Sequence, residues 1–100
     1  MSSIPPPIDQ KALWNGFAGQ AWVDQQAILD GLFQPLADAL CGELPETVTE
    51  LLDVGCGTGA SLLAAATARP AAHCTGLDLS APMLALARQR AQAAGLEADF

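Results

Sequence analysis

One hundred residues suffice for one small domain, and a 51% hydrophobic, 15% charged composition supports a buried core rather than a disordered tail. Eleven acids against four bases leave a net charge of −7, which argues against nucleic acid as a partner, because Lys11, Arg69, Arg88 and Arg90 are too few and too scattered to displace counterions. No stretch approaches the ~20 apolar residues that cross a bilayer, no basic-then-apolar leader opens the chain, and Cys41, Cys56 and Cys74 form no C-x-x-C pair or zinc spacing with His73. No metal is therefore expected, the cysteines read as small apolar fillers in a reducing compartment, and a cytoplasmic location is the expectation.

In chain order, Met1 to Ile8 hold Pro5-Pro6-Pro7, which favours an extended arm without internal hydrogen bonds. From about Asp9 to Leu40 the pattern is helical. Trp22, Ile28 or Leu29, Leu32, Leu36 and Leu40 recur at three- and four-residue steps as one apolar stripe, with Asn15 and Asp24 on the wet side. Pro35 lacks an amide donor, so the spacing predicts a first helix over Gly19 to Phe33 and a second over Pro35 to Cys41. Gly42 ends the latter and Pro45 blocks its continuation.

From Glu46 the grammar becomes strand, turn, helix. Leu51 to Val54 reads as a short strand buried on both faces of a parallel sheet. The glycine-rich Gly55-Cys56-Gly57-Thr58-Gly59 follows, then a helix over Ala60 to Ala68 that Pro70 stops. Cys74 to Leu77 is the next strand, ending on Asp78. Ser80 is a natural N-cap with Pro82 in the first turn of a helix that runs to Ala94 and meets Gly95. Leu96 to Phe100 starts a third strand. The order βαβαβ is that of an α/β parallel sheet with flanking helices. Residues 1–45 are read as an N-terminal arm and helices, and residues 46–100 as a cofactor-binding half.

The glycine turn and Asp78 carry the chemistry. Bare backbone at Gly55 and Gly57 lets a ligand approach, and the helix start that follows offers free amides to a carboxylate or phosphate. Asp53, in a strand otherwise of Leu and Val, needs donors or a cation, since burying it alone is costly; nearby amides, a water or a cationic ligand would each serve, as would a purely structural role in the turn. Asp78 can accept from both hydroxyls of a ribose. Asp78→Ala is expected to weaken nucleoside binding by roughly 1–3 kcal/mol with little loss of fold stability.

Asp53-Val54-Gly55-Cys56-Gly57-Thr58-Gly59 and Gly76-Leu77-Asp78-Leu79-Ser80 with Met83-Leu84 resemble the first two motifs of class I S-adenosylmethionine-dependent methyltransferases. The likeness covers Glu50 to Phe100 and, less specifically, the helical segment beginning Trp14-Asn15. It implies a Rossmann-like fold with S-adenosylmethionine as cofactor and methyl transfer to an acceptor, here a small molecule by preference. Gly55, Cys56 and Gly57 would pass beneath the methionine, Asp53 would lie near its amino group, Asp78 would hold the ribose, and Leu79 and Met83 would flank adenine and ribose. Met83 reads equally as ordinary helix core. Trp14 is a candidate roof over the cofactor and Trp22 a core anchor. The family's sheet has seven strands, and only the first three are expected here, so a truncated or non-catalytic cofactor-binding fragment is one alternative. The other is an NAD-dependent oxidoreductase, since Gly55-x-Gly57-x-x-Ala60 satisfies the dinucleotide fingerprint. Asp53 beside a pyrophosphate and the helices ahead of the first strand argue against that. No catalytic base is named, because the acceptor-binding residues are expected beyond the third strand.

Overall fold

A computed structural model describes residues 4–100; of the predicted extended arm, Met1 to Ser3 lie outside the described residues, and residues 5–9 are exposed without regular structure. Three helices come first: α1 (Gln10–Asn15), α2 (Phe17–Asp24) and α3 (Gln26–Gly42). β1 (Glu50–Val54), α4 (Ala60–Ala68), β2 (His73–Leu77) and α5 (Ala81–Ala93) follow. The predicted order of strand, turn and helix is adopted from β1 through α5.

The N-terminal boundaries differ from the sequence expectation. The helical run is interrupted at Gly16 and Gln25, and α3 passes through Pro35 without interruption. Pro35 removes the hydrogen bond to the carbonyl of Gly31, but both residues are exposed and nothing lies within 4 Å of the Gly31 Cβ position. Water can therefore satisfy the freed carbonyl, and no side chain crowds the proline ring. At the other end, Asp9 caps α1 by accepting from Ala12 N at 3.2 Å. Gly19, predicted to start a helix, sits in the middle of α2 and is buried; a Cβ there would lie 2.0 Å from Trp14 O and 2.6 Å from Ser80 Oγ. This close approach presses α2 against the start of α5.

β1 and β2 pair in parallel, with Glu50 opposite His73 and Val54 opposite Leu77. The predicted third strand is reduced to one parallel bridge between Thr75 and Asp99, made by Gly76 N to Asp99 O at 2.7 Å and Asp99 N to Cys74 O at 2.9 Å. Residues 96–100 thus flank β2 on the side away from β1. No strand pairs with the outer edge of β1 among the described residues, and the face that carries Glu50, Leu52 and Val54 is uncovered, leaving Leu52 and Val54 58% and 75% exposed. The expectation of a strand buried on both faces is therefore not met in this chain.

The core lies between α4 and the sheet. Leu62, Ala66 and Cys74 are buried, with Leu51, Ala72, Leu96, Ala98 and Phe100 against them. Gly76 is required by this packing, because a Cβ there would meet Cys56 Sγ at 2.7 Å and Leu62 and Phe100 carbons at 3.0 Å. Arg69 fastens the end of α4 to the loop before β1 through Leu44 O at 2.6 Å and Pro45 O at 3.1 Å. The stripe on α3 does not enter this core. Ile28, Leu32, Leu36 and Leu40 are all more than half exposed, and several of its residues face a cavity instead. No described helix is long and apolar enough to cross a membrane.

Candidate functional site

The site forms where β1 and β2 end side by side. After Val54 the chain takes positive φ at alternate residues, 76° at Gly55, 56° at Gly57 and 93° at Gly59, a conformation that side chains with a Cβ disfavour. The turn is stapled to the neighbouring strand, since Gly55 N and Cys56 N both donate to Leu77 O, at 2.7 and 3.0 Å. Gly57 has a second constraint: a Cβ there would come within 2.9 Å of Met83 Cε. Gly59 is the N-cap of α4, which carries no side-chain capping bond.

Asp78 is the tie between the turn and the following loop. Its Oδ2 accepts from Gly57 N and its Oδ1 from Ser80 N, both at 2.8 Å. Each carboxylate oxygen can accept more than one bond, so both retain capacity for a ligand hydroxyl. Ser80 is buried, and its hydroxyl accepts from Met83 N at 3.3 Å, giving the N-cap read from sequence. Asp53, half-buried at the end of β1, accepts from Ser61 Oγ at 2.7 Å. The first turn of α4 thus supplies the donor that a carboxylate among apolar residues requires.

Cys56 is buried beneath the turn. Burial pushes its thiol up to about 11, reinforced by the nearby carboxylates of Asp53 and Asp78. A thiol so perturbed stays neutral and is no nucleophile at physiological pH. Met83 is 5% exposed and Leu79 57% exposed, so the first forms floor and the second rim. All seven residues picked out by the sequence pattern lie around this one crevice, six of them on the cavity wall and Asp53 just behind it, bonded to wall residue Ser61.

A cavity of about 810 Å³ opens over the turn, within the ~300–1,000 Å³ of small-molecule sites. Strand ends and the glycine turn make one wall; α1, α2 and α3 make the other with Trp14, Trp22, Leu29 and Phe33. Trp14 meets Trp22 edge-on at 6.2 Å between ring centroids, and Trp22 stacks on Phe33 at 6.4 Å with planes 7° apart. Trp22 therefore lines the cavity and is 37% exposed, a correction to its reading as a core anchor. Its stripe turns toward the cavity because α3 leans on α4 rather than on the sheet.

Two polar clips escaped the sequence reading. Asn15, placed on the wet side by periodicity, bonds to Leu79 O at 2.6 Å and to Ala81 N at 2.9 Å. Arg90 of α5 reaches Thr58 O at 2.9 Å, Thr58 Oγ1 at 3.2 Å and Asp30 Oδ2 at 2.5 Å, and Gln26 joins the same Asp30 oxygen at 2.6 Å. Apart from the Gln26–Asp30 bond within α3, their contacts join residues at least 32 positions apart, so no local pattern announces them. Among the described residues no group of three His, Cys, Asp or Glu side chains is placed to hold a metal ion.

Comparison with known proteins agrees with this geometry. Residues 51–100 match the family described as a methyltransferase domain. A ubiquinone biosynthesis O-methyltransferase of Klebsiella pneumoniae subsp. pneumoniae is 45% identical across 99% of this chain, which covers 42% of that protein. Release factor glutamine methyltransferase of Deinococcus radiodurans is 48% identical over 50 residues, half of this chain and 18% of its own. A solved structure reported as "Conversion of a Disulfide Bond into a Thioacetal Group during Echinomycin Biosynthesis" shares 40% identity and a TM-score of 0.54 over 66% of this chain and 26% of its own. Ubiquinone biosynthesis O-methyltransferase of Xylella fastidiosa, 36% identical over 63 residues, is covered only to 25%. The chain thus spans less than half the length of each of these relatives.

Proposed function

The chain belongs to the methyltransferase-domain family, and we propose that its cavity binds S-adenosylmethionine for methyl transfer to a small, largely apolar acceptor. The observation that carries this reading is the placement of Asp78. Its two oxygens hold the glycine turn and the β2–α5 loop in one frame while facing the cavity with acceptor capacity left over. Two adjacent hydroxyls of a ribose match two adjacent carboxylate oxygens. Leu79 at the rim and Met83 beneath the turn supply apolar contact on either side of a nucleoside.

At the other end of the crevice, Gly55, Cys56 and Gly57 would underlie the amino-acid portion. Asp53, whose one oxygen is engaged by Ser61, has the second available for an ammonium group directly or through water. The bound sulfonium supplies an already activated methyl group. What this chain contributes is orientation and a largely apolar wall. That division of labour assigns residues 46–100 to the cofactor and the helices of residues 1–45 to covering it. The aromatic wall of Trp14, Trp22 and Phe33 favours a flat apolar acceptor, in keeping with the ubiquinone-pathway relatives. The acidic balance disfavours nucleic acid, and three free thiols accord with a cytoplasmic location. The dinucleotide alternative loses its support to the family match.

A thermal-shift comparison tests the reading. S-adenosylhomocysteine at saturating concentration raises the melting temperature by mass action, and NAD does not. No shift with S-adenosylhomocysteine, or an equal shift with NAD, overturns it.

A further inference from the structure

Three residues, Asp78, Leu79 and Ser80, join β2 to α5 at the site, and the stretch Leu79-Ser80-Ala81 carries the amide that holds one oxygen of Asp78. Ser80 is fully buried but Leu79 is more than half exposed, so packing holds the middle of this loop and not its first residue. One side chain from the opposite wall does. The carboxamide of Asn15, the last residue of α1, donates from Nδ2 to Leu79 O at 2.6 Å and to Lys11 O at 2.7 Å, and its Oδ1 accepts from Ala81 N at 2.9 Å. Both donor hydrogens and the acceptor oxygen are thus engaged at once. The two loop contacts straddle Ser80, whose own amide goes to Asp78.

We propose that Asn15 is a positioning residue for the nucleoside end of the site, setting the Leu79–Ala81 loop and through it the carboxylate of Asp78. The proposal rests on the reading that Asp78 faces a ribose. The chemistry required is specific to a carboxamide on a short arm. An aspartate would offer acceptors only and turn a charge toward the carbonyls of Leu79 and Lys11. A serine has one hydrogen to donate and cannot serve both carbonyls. A second observation supports the same arrangement: Gly19 of α2 is packed so closely on Ser80 Oγ that a Cβ would lie 2.6 Å away. The α1–α2 hairpin therefore grips this loop from two points. α1 has only six residues and draws little stability from its own hydrogen bonds. Occupancy of the nucleoside site and order in α1 are accordingly linked, each favouring the other.

Calorimetric titration of the full-length protein with S-adenosylhomocysteine and with 5′-methylthioadenosine, which lacks the amino-acid end, tests this. Asn15→Ala is expected to weaken both ligands by the same factor, about tenfold, at a temperature well below its melting point. Asn15→Asp is expected to weaken them at least as much. In an Asp78→Ala background, Asn15→Ala should add no further loss, because the group it positions is gone. Unchanged affinity for both ligands, loss confined to S-adenosylhomocysteine, or full additivity with Asp78→Ala each overturns the proposal. A purely structural role would lower the melting temperature and leave the affinities of the folded variant as they were. Should Asn15→Ala fail to fold, Asn15→Gln, which keeps the same groups on a longer arm, takes its place and must show the same paired loss. Failure of the unaltered protein to bind either ligand refutes the cofactor reading itself, and this proposal with it; normal binding that Asn15 does not influence refutes this proposal alone.

Discussion

Asp78→Asn is the substitution that separates a ligand contact from a structural bridge. The carboxylate accepts two backbone bonds, from Gly57 N and Ser80 N, each 2.8 Å long. Hydrogen bonds to a charged group contribute about 1.5–3 kcal/mol apiece, and the half-buried position of Asp78 argues for the lower end. An asparagine keeps one acceptor, now neutral, and turns an NH₂ group toward the other backbone N–H. One bond weakens, and the second becomes donor against donor. The expected cost is about 2–3 kcal/mol of stability in the absence of ligand. For a domain of this size that lowers Tm by roughly 10–20 °C. Urea unfolding followed by the fluorescence of Trp14 and Trp22 gives the free energy, and a thermal scan gives the shift. The sequence alone leads to the opposite expectation, a binding defect with little effect on the fold. A Tm within about 2 °C of the unaltered protein would refute the bridge and restore that simpler view.

Three further outcomes follow from the same geometry. Gly57→Ala places a Cβ at φ 56° and 2.9 Å from Met83 Cε; the methionine end can move, so the left-handed backbone dominates at about 1–2 kcal/mol, and an unchanged urea midpoint would contradict it. Arg90→Met removes the pair with Asp30 and both bonds to Thr58, and a double-mutant cycle with Asp30→Asn should show strong non-additivity of about 1–3 kcal/mol; simple additivity would mean the pair does not couple. His73 lies between Glu50 at 2.9 Å and Asp99 at 2.7 Å, and these contacts, that with Glu50 foremost, raise its pKa above 6.5. A group whose folded pKa is raised binds protons more tightly when folded, so its contribution is full below pH 6.5 and is lost as pH climbs through the raised value. The urea midpoint should therefore decline as pH rises above about 6.5, and His73→Gln should flatten that decline.

The residues that could be read in isolation are those whose conformation depends on immediate neighbours. Gly55, Gly57 and Gly59 at alternate positions permit a turn with positive φ that residues with a Cβ disfavour, Ser80 caps the helix three residues ahead of Met83, and Gly95 closes it through Leu96 N to Ala91 O. The strand, turn and helix order from β1 to α5 follows from such short-range terms, and with it the location of the crevice. Pro35 misled because a proline's cost depends on whether the orphaned Gly31 carbonyl meets solvent, which composition does not state. The stripe of Trp22, Leu29, Leu36 and Leu40 announced an amphipathic face without saying what it faces; only the lean of α3 on α4 turns it toward a cavity rather than a core. Asn15 is exposed, as periodicity placed it, but hydrophobic periodicity weighs burial and is blind to hydrogen bonds across 64 positions. Arg90 and Asp30 were two scattered charges until packing set them side by side. Local sterics and capping are written into short stretches of chain, whereas the roof of the site and the polar clips that hold it arise from distant residues meeting, and that meeting exists only in three dimensions.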